Sequence, residues 1–188
     1  MVRYIGLDVS SVATGVAVVD RKPDGSLTLV AHDVITTSSK QEIGKRLVLF
    51  AETLQGFFDE YQPDYVIREE TINNRASNAI LFKFLGVAQF LARNNGHQKT
   101  YEYYPTTIKK SVTGTGRASK ETVAENAQKY FREDLSTLTD DETDAIAAIL
   151  THLDKTSLIT TIEDLDKLHE HEAHQNQLVE EYENDTIK

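Results

Sequence analysis

The chain contains no cysteine, so disulfide cross-links and thiolate zinc sites are excluded. It has no long hydrophobic run either. The longest apolar stretches, Gly15 to Val19 and Ala145 to Leu150, fall far short of the roughly 20 residues that a membrane-spanning helix needs. The first residues carry Arg3 and then Asp8 without the pattern of a cleavable signal. No internal repeat is visible. The expectation is a protein without a membrane partner and with a cytoplasmic location.

Positive charge is also scarce. Lys and Arg number 20 against 30 Asp and Glu, a net charge of −10, which argues against a nucleic-acid binder unless the charges are unevenly placed. They are. Residues 156–188 hold two basic side chains, Lys167 and Lys188, against nine acidic ones. Residues 68–120 carry Arg68, Arg75, Lys83, Arg93, Lys99, Lys109, Lys110, Arg117 and Lys120, opposed only by Glu69, Glu70 and Glu102. The middle of the chain is therefore able to face phosphates while the tail stays away, although an ordinary solvated surface has the same composition.

What is present is the material of a globular domain. Hydrophobic residues make up 39% and charged residues 27% of 188 positions, enough for one α/β domain and too few for two domains with a linker. Residues 2–9 alternate, with Ile5, Leu7 and Val9 opposite Tyr4, Gly6 and Asp8, and read as a strand. Thr14 to Val19 is a second strand, and Leu27 to Thr36 returns as a third after the turn Pro23-Asp24-Gly25. Ile43, Leu47, Phe50, Leu54, Phe57 and Tyr61 are spaced as one face of a helix that Pro63 stops. A short strand over Tyr65 to Ile67 ends at Glu69 and Glu70. Ile80, Phe84, Val87, Ala88 and Leu91 predict a second helix, closed at Asn94-Asn95-Gly96.

Thr100 to Tyr104 is a fifth strand. A short helix follows over Thr106 to Ser111, then a glycine-containing loop, then a helix capped by Ser119 with Val123, Ala127 and Tyr130 inward. Thr139 and Glu142 fit a capping box, opening a helix that buries Ala145, Ile149 and Leu153. From Thr160 onward the chain is acidic with few apolar anchors (Leu165, Leu168, Leu178), and reads as a helical or disordered extension. The order β-β-β-α-β-α-β-α-α-α implies a five-stranded mixed sheet flanked by helices. We divide the chain into a domain over residues 1–157 and an extension over 158–188.

The placement of acids carries the chemical information. Asp8 ends the first strand, Glu69 and Glu70 end the fourth, and Asp141 and Asp144 share a face of one helix. Singly, each has a plain alternative: a turn residue, a polar loop entry, a partner of the helix dipole. Brought together, carboxylates repel and raise one another's pKa, and a divalent cation removes that penalty. Hard oxygen ligands select Mg²⁺ or Mn²⁺. Two such ions roughly 4 Å apart can bind both the attacking and the leaving oxygen of a phosphodiester.

Gly6-Leu7-Asp8-Val9-Ser10-Ser11 with Thr14-Gly15-Val16-Ala17 resembles the first-strand motif of RuvC-family Holliday-junction resolvases. Pro63-Asp64-Tyr65-Val66-Ile67-Arg68-Glu69 is similar to the family's fourth-strand segment. Val112-Thr113-Gly114-Thr115-Gly116 with Lys120 resembles its loop and lysine, and Asp141-Glu142-Thr143-Asp144-Ala145-Ile146-Ala147 resembles its last helix. These four stretches run collinearly over residues 2–155. The resemblance implies a ribonuclease H-like fold and a bacteriophage-type member that cuts four-way DNA junctions by paired nicks, as a homodimer. It assigns Asp8, Glu69, Asp141 and Asp144 as metal-binding catalytic acids, with Glu70 as the rival to Glu69. It matches Lys109 and Lys120 to catalytic lysines, although without the resemblance both read better as surface residues.

Arg75, Lys83, Lys109, Lys110, Arg117 and Lys120 are the candidate DNA contacts. Two departures stand out. Arg68 occupies a position that is usually apolar in the family. Ile72 stands where the family places a stacking aromatic, which leaves it a wedge role only. The alternatives are a flap or RNA nuclease of the same fold, a non-catalytic binding module, and an actin-like kinase, whose phosphate hairpin also reads Gly-x-Asp then Thr-Gly but which needs two domains. His169, His171 and His174 in the tail read as scattered surface histidines.

Overall fold

The computed structural model describes residues 1–71 and 79–186. Strands β1 (Val2–Asp8), β2 (Ala13–Arg21) and β3 (Leu27–Thr36) form an antiparallel meander. Strands β4 (Tyr65–Glu69) and β5 (Thr100–Tyr103) add in parallel on the other side of β1, giving the order β3-β2-β1-β4-β5. Parallel neighbours need a crossover. Helix α1 (Ile43–Tyr61) carries the chain from β3 to β4, and α2 (Ala79–Asn94) carries it from β4 to β5. Helices α3 (Pro105–Thr113), α4 (Lys120–Ala127) and α5 (Asp140–Lys155) follow. This is the five-stranded mixed sheet flanked by helices that the residue pattern predicts.

β1 is the central strand, and its alternation sorts two cores. Tyr4 joins Ala17, Val19 and Ile67 under α3, α4 and α5. Ile5 and Leu7 join Val16, Val18 and Val66 under α1 and α2. Helix α5 lies across β1 and β2 and is buried along almost its whole length, from Glu142 to Leu153.

Several expectations are corrected. In α1 the fully buried residues are Arg46, Phe50, Leu54 and Phe58, so Phe58 rather than Phe57 faces the sheet. Ile80, expected in the core, is 44% exposed, because α2 turns Phe84, Leu85, Ala88, Leu91 and Ala92 inward instead. Beyond Thr160 the chain forms helix α6 (Ile162–Thr186). Its first turns and the segment before it are tied to the body: Leu165 is buried, Arg132 pairs with Asp166, and the Arg21 Nε donates to the carbonyl of Leu158, ahead of the helix, at 2.7 Å. Leu168, read as an anchor, is exposed. No described helix is long and apolar enough to cross a membrane.

Candidate active site

The site forms where β1 and β4 end side by side. Leu7 is the parallel partner of Arg68, so the next residues, Asp8 and Glu69, stand together at the carboxyl ends of the two central strands. On the other side Asp8 pairs with Gly15 of β2. Helix α5 arrives over this pair at very close range. A Cβ on Gly15 would lie 1.9 Å from the Asp141 carbonyl oxygen, and one on Gly6 would lie 2.2 Å from that of Ala145. Only glycine permits this approach of backbone to backbone, and it brings the first turn of α5 to the end of β1.

That first turn is fixed by its own sequence. Thr139 caps α5 in the predicted capping box: its hydroxyl accepts from the Glu142 amide, and the Glu142 carboxylate accepts from the Thr139 amide at 2.7 Å. Ser119 caps α4 as expected, accepting from the Thr122 amide at 3.2 Å. This presents Lys120 on the first residue of α4.

Asp8, Glu69, Asp144, Lys109 and Lys120 line one cleft of about 290 Å³, together with Pro105, Ile108 and Val123. The Lys120 Nζ lies 3.0 Å from Asp144 and 3.6 Å from Asp140. The Lys109 Nζ donates to the Ala118 carbonyl at 2.9 Å, tying α3 to the loop before α4. Asp141 is not part of the cleft lining, but its charge reaches Asp8 and Lys120.

The electrostatics follow from this crowding. Burial, and then the charges of Asp144 and Asp141, raise Asp8 to about 6 against the opposing pull of Lys120. Burial, and then Asp8 and Asp144, raise Glu69 to about 7, with Lys120 and Lys109 opposing. Asp141 is also raised, mainly by burial. Lys120 is raised despite its burial, chiefly by its hydrogen bond to Asp144. Among the described residues no three His, Asp or Glu side chains already stand in a ligating arrangement. The donor set nevertheless suits a hard divalent ion: it is all carboxylate oxygen, partly buried and mutually repelling, so a cation would both draw the groups in and relieve the repulsion.

The remaining candidates divide. Glu70 turns away from the cleft and lines a separate groove with Arg68, Thr71 and Glu102. Arg68 is paired with Glu102 at 2.8 Å, its cross-strand neighbour on β5, and donates to the Glu69 carbonyl at 3.0 Å. Lys110 lines a different cleft from Lys109, with Thr106, Thr107, Ser111, Gly116, Asp154 and Lys155. Arg117 is exposed in the loop before α4. Lys83 stands near Glu42 at the start of α1 and is not among the residues lining the acidic cleft. Ile72 and Arg75 lie outside the described residues. Among the described residues His171 bonds its own-helix neighbour Gln175.

Sequence reasoning missed His32. Its Nδ1 lies 2.5 Å from the Glu142 Oε1, tying β3 to the start of α5 across 110 positions of chain. Burial would raise the pKa of Glu142, but hydrogen bonds from His32 and Thr139 outweigh it and leave the group low.

Residues 4–152 match the family model described as crossover junction endodeoxyribonuclease RuvC. The chain is 34% identical over 151 residues to the RuvC of Anaplasma phagocytophilum, covering 79% of this chain and 92% of that one. It is 30% identical over 152 residues to the RuvC of Finegoldia magna, covering 80% and 92%. The structure of T. thermophilus RuvC in complex with Holliday junction substrate superposes with a TM-score of 0.76 at 23% identity, covering 83% of this chain and 95% of that chain. The yeast mitochondrial Holliday junction resolvase Ydc2 gives 0.60 at 11%, covering 84% and 80%. The fold is therefore ribonuclease H-like, as expected. The two sequence relatives are bacterial, and nothing in the comparisons supports the phage-type membership. The chain belongs to the RuvC family of crossover junction endodeoxyribonucleases.

Proposed function

We propose that the protein is a divalent-metal-dependent endonuclease that resolves four-way DNA junctions by paired nicks, acting as a homodimer in the bacterial cytoplasm. One observation carries this reading: strand-end and helix carboxylates from three distant parts of the chain, Asp8, Glu69 and Asp144, face one cleft with Lys109 and Lys120, and Asp141 lies beside them. Relatives at about one-third identity bear the name crossover junction endodeoxyribonuclease.

Asp8, Glu69, Asp141 and Asp144 would hold two Mg²⁺ ions, for which Mn²⁺ would substitute. When bound, the metal supplies Lewis acidity at the scissile phosphate. Lys120 and Lys109 reach the same cleft and would hold a non-bridging phosphate oxygen as charge develops. A phosphate arriving there competes with Asp144 for the Lys120 ammonium and so frees that carboxylate. Lys110, Arg117, Lys83 and Arg75 are proposed as contacts to the flanking backbone, which position the duplex without reading its sequence. Ile72 is the proposed wedge.

A two-fold dimer suits a near-two-fold junction, and α2 offers a face for it. Phe82 and Phe90 are exposed there, and Gly86, on the same stripe between them, has open space above its Cα. Residues 1–157 would form the nuclease domain, with 158–188 as its acidic extension.

The test is cleavage of a panel of four-way junction, flap, linear duplex and RNA–DNA hybrid, with and without Mg²⁺. Symmetric nicks in the junction alone, lost in Asp8→Asn while junction binding persists, are expected. Full activity of that variant, or preference for the hybrid, overturns the reading.

A further inference from the structure

Glu142 sits between the two helix carboxylates and is itself buried. A capping box uses one of its oxygens: Oε2 accepts from both the amide and the hydroxyl of Thr139 at 2.7 Å. The other oxygen, Oε1, is bound by His32 at 2.5 Å. A carboxylate at this pH range only accepts, so the His32 Nδ1 carries the proton. His32 belongs to β3, and its cross-strand partner on β2 is Ala17, two residues from the Gly15 that the Asp141 carbonyl rests on. The start of α5 is thus held at two points on the sheet, by backbone contact on β2 and by a side-chain hydrogen bond from β3.

We infer that His32 is a positioning residue: through Glu142 it fixes the first turn of α5 and thereby the carboxylates of Asp141 and Asp144. The chemistry of the turn explains why a second tether is needed. Asp140, Asp141, Glu142 and Asp144 crowd four acids into five residues. The helix dipole favours acids there, but only by fractions of a kcal/mol each, and their mutual repulsion works to splay the turn. The capping box restrains the chain within the turn but does not anchor it to the sheet. His32 does. Outer hydrogen-bond partners of metal ligands commonly set metal affinity over about 10- to 100-fold, and here the partner acts one residue removed, through the backbone of the turn.

The inference rests on the reading of these acids as metal ligands, so its test separates the two. Mn²⁺ binding to the full-length protein without DNA is measured by the loss of the free-ion electron paramagnetic resonance signal. His32→Phe removes the donor, and the ring position is 43% exposed, so the substitution meets no packing barrier. His32→Asn places an amide N–H where Nδ1 was. H32F is expected to bind Mn²⁺ about tenfold more weakly, and H32N within about threefold of wild type, with junction affinity in EDTA unchanged for both. Should H32F not fold, His32→Ala, which also carries no side-chain donor, replaces it with the same expectation. Wild-type Mn²⁺ affinity in the donor-less variant, or H32N as weak as H32F, overturns the inference. A wild-type protein that binds Mn²⁺ but leaves the junction intact sinks the nuclease reading while the tether stands. Absence of Mn²⁺ binding in wild type overturns both.

Discussion

Gly15 and Asp141 meet backbone to backbone: the position of a Gly15 Cβ falls 1.9 Å from the Asp141 carbonyl oxygen and 3.0 Å from the Glu142 amide nitrogen. Neither neighbour is a flexible side-chain end, so no rotamer change relieves the clash. Gly15→Ala must lift the first turn of α5 from β2. Overpacking of this kind costs about 1–3 kcal/mol, and a displacement near 1 Å at a reacting centre costs on the order of 100-fold in rate. The expected result is a folded variant with a modestly lowered melting temperature and cleavage reduced by about two orders of magnitude. Wild-type cleavage in G15A would show that the contact does not position Asp141.

Asp8 and Glu69 set a pH dependence whose sign is opposite to that of a salt-bridged acid. Their folded-state values, about 6 and about 7, lie above the ordinary 3.8 and 4.5. Between those limits the folded protein binds more protons than the unfolded chain, so stability falls as pH rises from about 4 to about 7 and is flat above. At about 1.4 kcal/mol per pKa unit, reduced for partial solvation, Asp8 alone costs on the order of 2 kcal/mol at neutral pH. Asp8→Asn is therefore expected to melt higher than wild type at pH 7.5 in EDTA, with the difference closing by pH 4.5. Added Mg²⁺ should raise the wild-type melting temperature more than that of the variant. Scanning calorimetry at the two pH values decides it, and equal melting of both proteins throughout counts against the crowded-acid account.

Lys120 separates a catalytic contribution from a structural one. Its ammonium lies 3.0 Å from Asp144, yet its side chain is 46% exposed, and exposed pairs contribute about 0–1 kcal/mol. Lys120→Met should leave the melting temperature nearly unchanged while lowering the single-turnover cleavage rate by about 100- to 1000-fold, the range for loss of one preorganised charge-stabilising donor. A loss of stability without a loss of rate would make Lys120 a structural partner of Asp144 only.

The parts of the fold and site that were legible in the sequence are those written in short range. The alternation of Tyr4, Ile5, Gly6 and Leu7 gives β1 its two faces, and Thr139 with Glu142 announces the start of α5, because strand period and capping box act within a few residues. The four acids stand out because strand ends and one helix face are local features too. Arg46 and His32 escaped for the opposite reason. Arg46 is 4% exposed, where the spacing of α1 calls for an apolar neighbour. Its guanidinium donates to the Ser11 carbonyl and to the Thr37 hydroxyl, holding the turn that follows Asp8. His32 meets Glu142 across 110 positions of chain. A polar side chain whose partner is a distant backbone carbonyl or a distant carboxylate leaves no periodic trace. Ile80 misled in the other direction, since an apolar residue on a helix flank satisfies the 3.6-residue period equally well facing the core or facing a partner.

The exposed face of α2 supplies the remaining expectation. Phe90 is 66% exposed, with Phe82 and Ile80 on the same helix and Val48 and Leu49 exposed on α1, which packs alongside. Exposed large apolar side chains mark a candidate interaction surface, and a second copy of the chain is the partner that the proposed paired nicking calls for. If the proposed dimer forms through this face, Phe90→Asp puts like charges into the contact at no cost to the monomer core, which Phe90 does not enter. Sedimentation is expected to report a dimer for wild type and a monomer for F90D at micromolar concentration. On a supercoiled plasmid bearing a cruciform, wild type should yield linear product by cutting both strands at once, whereas F90D should yield nicked circles. A dimeric F90D that still linearises the plasmid places the interface elsewhere on the molecule.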